Sequence, residues 1–125
     1  MQIQPVTTNK IPPSPNPFSL GIKANGFLFI SGQVGKDSTG KIVDGFAAQV
    51  KQAMENLKVI IEAAGCSMDK IVKVNVYVTD ITKMPELNDI YRQYFLQTLP
   101  ARAAMEVSRL GLKAEVEIDA IALAD

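Results

Sequence analysis

Apolar residues recur along the chain with two periods, one helical and one extended. From Phe46 to Ala64 the positions Val50, Met54, Leu57, Ile61 and Ala64 step by four, three, four and three, which traces one helical stripe. Asp44 is placed to cap the start of this helix, and Gly65 stands where a left-handed cap would end it. A second, shorter helix is predicted from near Pro85 to about Phe95, with Leu87, Ile90, Tyr91 and Tyr94 toward the core. Period-two segments flank these helices. Ile71 to Thr79 sets Val72, Val74, Val76 and Val78 against Lys73, Asn75, Tyr77 and Thr79, the pattern of a half-buried strand. Arg102 to Val107 alternates Ala103, Met105 and Val107 with Arg102, Ala104 and Glu106, and Ala114 to Leu123 alternates Val116, Ile118, Ala120 and Ala122 with Glu115, Glu117, Asp119 and Ile121. Phe27 to Ser31, bounded by Asn25-Gly26 and by Gly32, predicts a mostly buried strand that closes at Ser31-Gly32-Gln33. Gly35 to Gly45 is a turn-rich loop, and Pro5, Pro12, Pro13, Pro15 and Pro17 make the first seventeen residues an extended arm or loop.

The order strand, helix, strand, helix, strand, strand implies an α+β fold, a sheet with two helices over one face. Ser108 to Lys113, which contains Gly111, allows the last two strands to pair as a hairpin and bring Arg102 near the row Glu115 to Asp119. The uncovered face is then expected to carry Arg102, Ala104, Glu117 and Tyr77. With Ile121 and Leu123 on the same strand as Glu117, that face calls for a second copy of the chain.

Composition narrows the function. At 125 residues the chain fits one domain, residues 1–125. Its 13 basic and 13 acidic residues cancel, so no overall field attracts nucleic acid or anionic lipid. The uncharged stretch Pro12 to Ile22 is broken by prolines and too short to span a bilayer, and Met1 to Thr8 does not read as a secretory signal, which together place the protein in the cytoplasm. Cys66 is the single cysteine and there is no histidine. An intramolecular disulfide is excluded, a zinc site is disfavoured, and acid–base work falls to carboxylates, Lys, Tyr or Cys66.

Four groups of residues stand out as candidate chemistry. Arg102 lies among Ala101, Ala103 and Ala104, small neighbours that leave room for a planar anion, and its two-pronged donor suits a carboxylate; an ion pair with Glu117 or Glu115 explains it equally well. Glu117, in the apolar run V-E-I-D-A-I-A, is a general acid–base candidate if partly buried and a solvated strand residue if not. Ser31 and Gly32 offer a hydroxyl and close backbone approach, or simply a strand end. Asn88 and Tyr91 lie one helical turn apart and can reach one site, as such pairs do on many helices. Cys66, after a helix C-terminus, reads as inert, and Lys73 as a solvated strand lysine.

The run P-A-R-A-A-M-E-V-S-R-L-G-L-K-A-E-V-E-I from Pro100 to Ile118 resembles the signature of the RidA/YjgF reactive-intermediate deaminases. The likeness extends through I-S-G-Q at residues 30–33, Q-A-M-E-N-L-K at 52–58, E-A-A-G at 62–65, I-V-K at 71–73 and N-x-x-Y at 88–91. It implies a chorismate-mutase-like fold assembled as a homotrimeric barrel, with active sites between subunits. It also implies hydrolysis of 2-iminopropanoate, its enamine tautomer 2-aminoacrylate, and 2-iminobutanoate, without metal or cofactor. On this likeness Arg102 grips the substrate carboxylate, Glu117 serves the attacking water, and Ser31, Gly32 and Asn88 line the cleft. Phe18 stands where many members have Tyr, and Ala104 where a cysteine is common; both would shape the pocket without a polar contact. A 2-keto-acid-binding regulator that does no chemistry is the alternative. An endoribonuclease or translation inhibitor finds little support in a chain without histidine and with dispersed basic residues.

Overall fold

The computed structural model describes residues 2–124. Six strands form one sheet: β1 (Gln4–Val6), β2 (Gly21–Ala24), β3 (Phe27–Val34), β4 (Ile71–Val78), β5 (Ala101–Glu106) and β6 (Val116–Leu123), in the spatial order β1-β2-β3-β6-β4-β5. Two helices, α1 (Phe46–Ala63) and α2 (Met84–Tyr91), pack on one face. This is the expected α+β arrangement.

Leu28 and Ile30 of β3, Val74, Val76 and Val78 of β4, and Val116, Ile118, Ala120 and Ala122 of β6 turn toward the helices. Val50, Met54, Leu57, Ile60 and Ile61 of α1 meet them, and Leu87 and Tyr91 of α2 complete the layer. Burying such a stripe against such a sheet face is what holds both elements, since a helix of this length gains little from propensity alone. Gly65 has φ 78°, the left-handed cap that the sequence predicts. At the other end Gly45, not Asp44, occupies the cap position, and it makes no side-chain cap hydrogen bond.

Several expectations are corrected. The proline-rich arm contains β1, which pairs antiparallel with β2 at the sheet edge, where Pro5 is tolerated. β3 is only half-buried, with Phe27 and Phe29 exposed on the uncovered face, and it runs on through Ser31, Gly32 and Gln33 to Val34 instead of closing there. A register shift against β6 between Ile30 and Gln33 lets it do so. A second shift, between Ile71 and Lys73, buries Ile71 and turns Val72 outward, so Val72 does not share the face of Val74.

The largest correction concerns the C-terminal strands. β5 and β6 do not form a hairpin: β4 lies between them, parallel to β5 and antiparallel to β6. Arg102 is level with Val74 and Ala104 with Val76, both on the helix-covered side of the sheet. Glu117 is level with Tyr77 and Val34, on the uncovered side. The uncovered face therefore carries Glu117 and Tyr77 as expected, but not Arg102 or Ala104. No helix among the described residues is long and apolar enough to cross a membrane.

Candidate functional site

The bulge in β3 prepares the place for Glu117. Beyond it, Gly32 comes so close to β6 that a Cβ there would overlap the Glu117 carboxylate, with the carboxyl carbon only 2.9 Å away. Glycine at this position is what gives the acid room to lie against the strand. Asn56, buried on α1, ties the end of β3 in place by donating to the carbonyls of Val34 (3.2 Å) and Lys36 (2.9 Å). Gln49 does the same for the start of β6, accepting from the Glu115 amide at 2.8 Å.

Glu117 then forms one wall of a cavity of about 180 Å³ that is also lined by Phe18, Leu20, Gly32, Lys36 and Leu112. Among the described residues its carboxylate makes no hydrogen bond, and burial, reinforced by the negative charge of Asp119, raises its pKa above the usual carboxylate value. Ser31 is not among the lining residues. Its hydroxyl donates to the Ser19 carbonyl at 2.6 Å and its amide to Leu20 at 2.9 Å, so it fastens the arm that carries Phe18.

Arg102 belongs to a separate depression of about 310 Å³, lined by Asn88, Tyr91, Arg92, Leu99, Pro100 and Arg102. Its guanidinium carbon sits 4.9 Å from the centre of the Tyr91 ring, a cation–π seat on a residue of the core. Burial pushes the Tyr91 phenol up to about 12, so it stays neutral. Among the described residues Arg102 takes part in no ion pair, and Glu115 is held instead by Lys83 at 2.9 Å. The Asn88 side-chain oxygen and the Tyr91 hydroxyl are buried here with no hydrogen-bond partner among the described residues. A free guanidinium fork beside an unsatisfied acceptor suits a carboxylate that carries an N–H or O–H donor next to it. Ala104, exposed on β5, lines neither hollow.

Within one copy the two hollows stay apart. Arg102 and Glu117 lie on opposite faces, two strand spacings and three residues of register apart, or about 14 Å between Cα atoms. The structure brings Glu117, Gly32 and Phe18 together, and Arg102, Asn88 and Tyr91 together. Asn56, Gln49, Lys36 and Leu112 were not anticipated as parts of the site. The one available signal was the presence of Gln49 and Asn56 beside the apolar stripe of α1.

A family model described as endoribonuclease L-PSP matches residues 8–124. A RutC family protein of Aquifex aeolicus is 47% identical, with 94% of this chain and 97% of that protein covered. A mouse protein named 2-iminobutanoate/2-iminopropanoate deaminase is 41% identical over 94% of this chain and 88% of its own length. The crystal structure of RidA from an Antarctic Psychrobacter superposes with a TM-score of 0.93 at 38% identity, covering 96% of this chain and 98% of that one.

Proposed function

Because the chain belongs to the RidA/YjgF family, whose sequence model carries the description endoribonuclease L-PSP, we propose that it hydrolyses small 2-imino acids to 2-keto acids and ammonia. The substrates are 2-iminopropanoate with its enamine tautomer 2-aminoacrylate, and 2-iminobutanoate. The protein acts as a homotrimer in which Arg102 of one copy faces Glu117 of the next. What carries this reading is Glu117: a carboxylate of raised pKa, wedged over Gly32 at a cavity wall and without a hydrogen bond among the described residues.

In the proposed reaction Arg102, seated on Tyr91, holds the substrate carboxylate, and the Asn88 oxygen accepts from the substrate N–H. Glu117 takes a proton from water as the oxygen adds to the C=N carbon. Glu117 passes that proton to nitrogen to complete the carbinolamine, then takes the hydroxyl proton and delivers it to nitrogen as the C–N bond breaks, the C=O forms and ammonia leaves. The sequence is redox-neutral and consumes only water. Most of the acceleration comes from holding water and imine in reacting geometry.

A second reading has one specific observation behind it: Phe18, half-exposed at the Glu117 cavity, supplies a wall but no hydroxyl to order water. The protein would then bind 2-keto acids without turnover. A threonine dehydratase reaction trapped by semicarbazide separates the two. A deaminase suppresses semicarbazone formation, and Arg102→Ala abolishes the suppression; a binder leaves trapping unchanged. Loss of RNA substrate under the same conditions would favour the nuclease description instead.

A further inference from the structure

On the uncovered face, next to Glu117, Asp119 is held from two sides. Asn75 donates to one of its oxygens at 2.9 Å, and the Tyr77 hydroxyl donates to the other at 3.0 Å. Among the described residues Asp119 has no cationic partner. Alternation along β6 places Glu117 on the same face, about 7 Å away by strand geometry, and Tyr77 is level with Glu117 across the sheet. The clamp therefore fixes a negative charge at a set distance from the acid.

We propose that Asp119, clamped by Asn75 and Tyr77, is an electrostatic positioning residue that holds a second carboxylate beside Glu117 for the reaction. The inference rests on Glu117 acting as the base. A like charge nearby disfavours a second ionisation, so Glu117 is a stronger base than an isolated carboxylate. The clamp is matched by the effect on Tyr77, whose pKa is raised chiefly by its hydrogen bond to Asp119, which keeps the phenol a donor.

The other groups facing Glu117 are few. From β4 comes Tyr77, and from the end of β3 Lys36 lines the same cavity. The arm and the Gly111–Leu112 wall contribute no titratable lining residue. On its own strand side, Glu115 is paired with Lys83. In the proposed trimer Arg102 of the next copy adds a positive charge. Beside these groups, Asp119 is the like-charged neighbour of Glu117.

The test is the pH dependence of kcat/KM for 2-iminobutanoate, with the Glu117 carboxyl followed in parallel by carbon NMR so that substrate protonation plays no part. Asp119→Asn keeps the size of the side chain and one acceptor oxygen but removes the charge, and its NH2 group can donate to the Tyr77 oxygen in place of accepting from it. The expected result is an acidic limb and a Glu117 titration both moved to lower pH, with a reduced rate above the limb, and Asp119→Glu returning both toward wild type. The reduction should be smaller than the roughly 10²–10⁴-fold loss from removing a general base. An unmoved limb and titration, with or without a lower rate, overturns the proposal and leaves Asp119 a structural residue. Should Asp119→Asn fail to assemble, Asp119→Ser carries the same prediction. Full activity in Glu117→Gln would instead defeat the parent reading.

Discussion

Glu117 illustrates how a residue is shaped by what lies under and beside it. Gly32 removes the Cβ that would displace it, burial makes its charged form costly, and Asp119 adds repulsion. In the proposed reaction Glu117 acts as a base only when ionised, so activity should fall as pH drops through its pKa, which burial and Asp119 raise above that of an unperturbed glutamate. Stability runs the other way. A carboxyl whose pKa is raised by folding weakens the native state at pH values above that pKa and has no such effect once pH is below the unfolded value. Glu117→Gln should therefore raise Tm at neutral pH, with the gain fading as pH falls through the carboxylate range, while lowering kcat roughly 10²–10⁴-fold. Calorimetry and steady-state rates across pH check the two halves. The residue types were legible in the sequence: an arginine among alanines and a glutamate in an apolar strand. The face of Glu117 was legible too, but that of Arg102 was not, because it is set by the pairing of β5 with β4.

At the scale of elements, helical periodicity was readable because it is local. The stripe of α1 predicted the helix to within a residue, whereas α2 starts at Met84, beside the proline that marked it, and ends at Tyr91, short of the predicted Phe95, where a 3-10 turn over Arg92–Tyr94 takes over. Strand pairing is decided by distant segments, and there the hairpin of β5 and β6 failed: α2 carries the chain back to lay β5 parallel to β4, and β6 then enters between β3 and β4. The two register shifts were equally invisible, since each adds a residue without changing the alternation on either side. The contact between β3 and α1 is close enough to test. A Cβ on Gly35 would meet the Gln49 Cα at 2.5 Å and its carbonyl at 2.8 Å, backbone atoms that cannot swing aside. Gly35→Ala should cost about 1–3 kcal/mol in the denaturant midpoint and also loosen the Gln49 contact that holds Glu115.

The whole molecule leaves one sheet face uncovered, and its composition is divided. Phe27, Phe29, Ile121 and Leu123 make one end apolar, whereas Asn75, Tyr77, Glu117 and Asp119 make the other polar. An apolar area beside the Glu117 hollow is the surface that the proposed trimer would cover, one surface of each copy meeting a different surface of the next. The apolar character of this face was legible from Ile121 and Leu123; the placing of Arg102 and Glu117 in two separate hollows was not, because it follows from β4 standing between the strands that carry them. Mixing subunits tests this division most directly. Arg102→Ala and Glu117→Gln, each inactive alone, are unfolded together and reassembled in equal amounts. If sites form between copies of a trimer, about one site in four receives an intact arginine and an intact glutamate, and about a quarter of wild-type deaminase activity returns. A mixture no more active than its two parents would contradict the shared site.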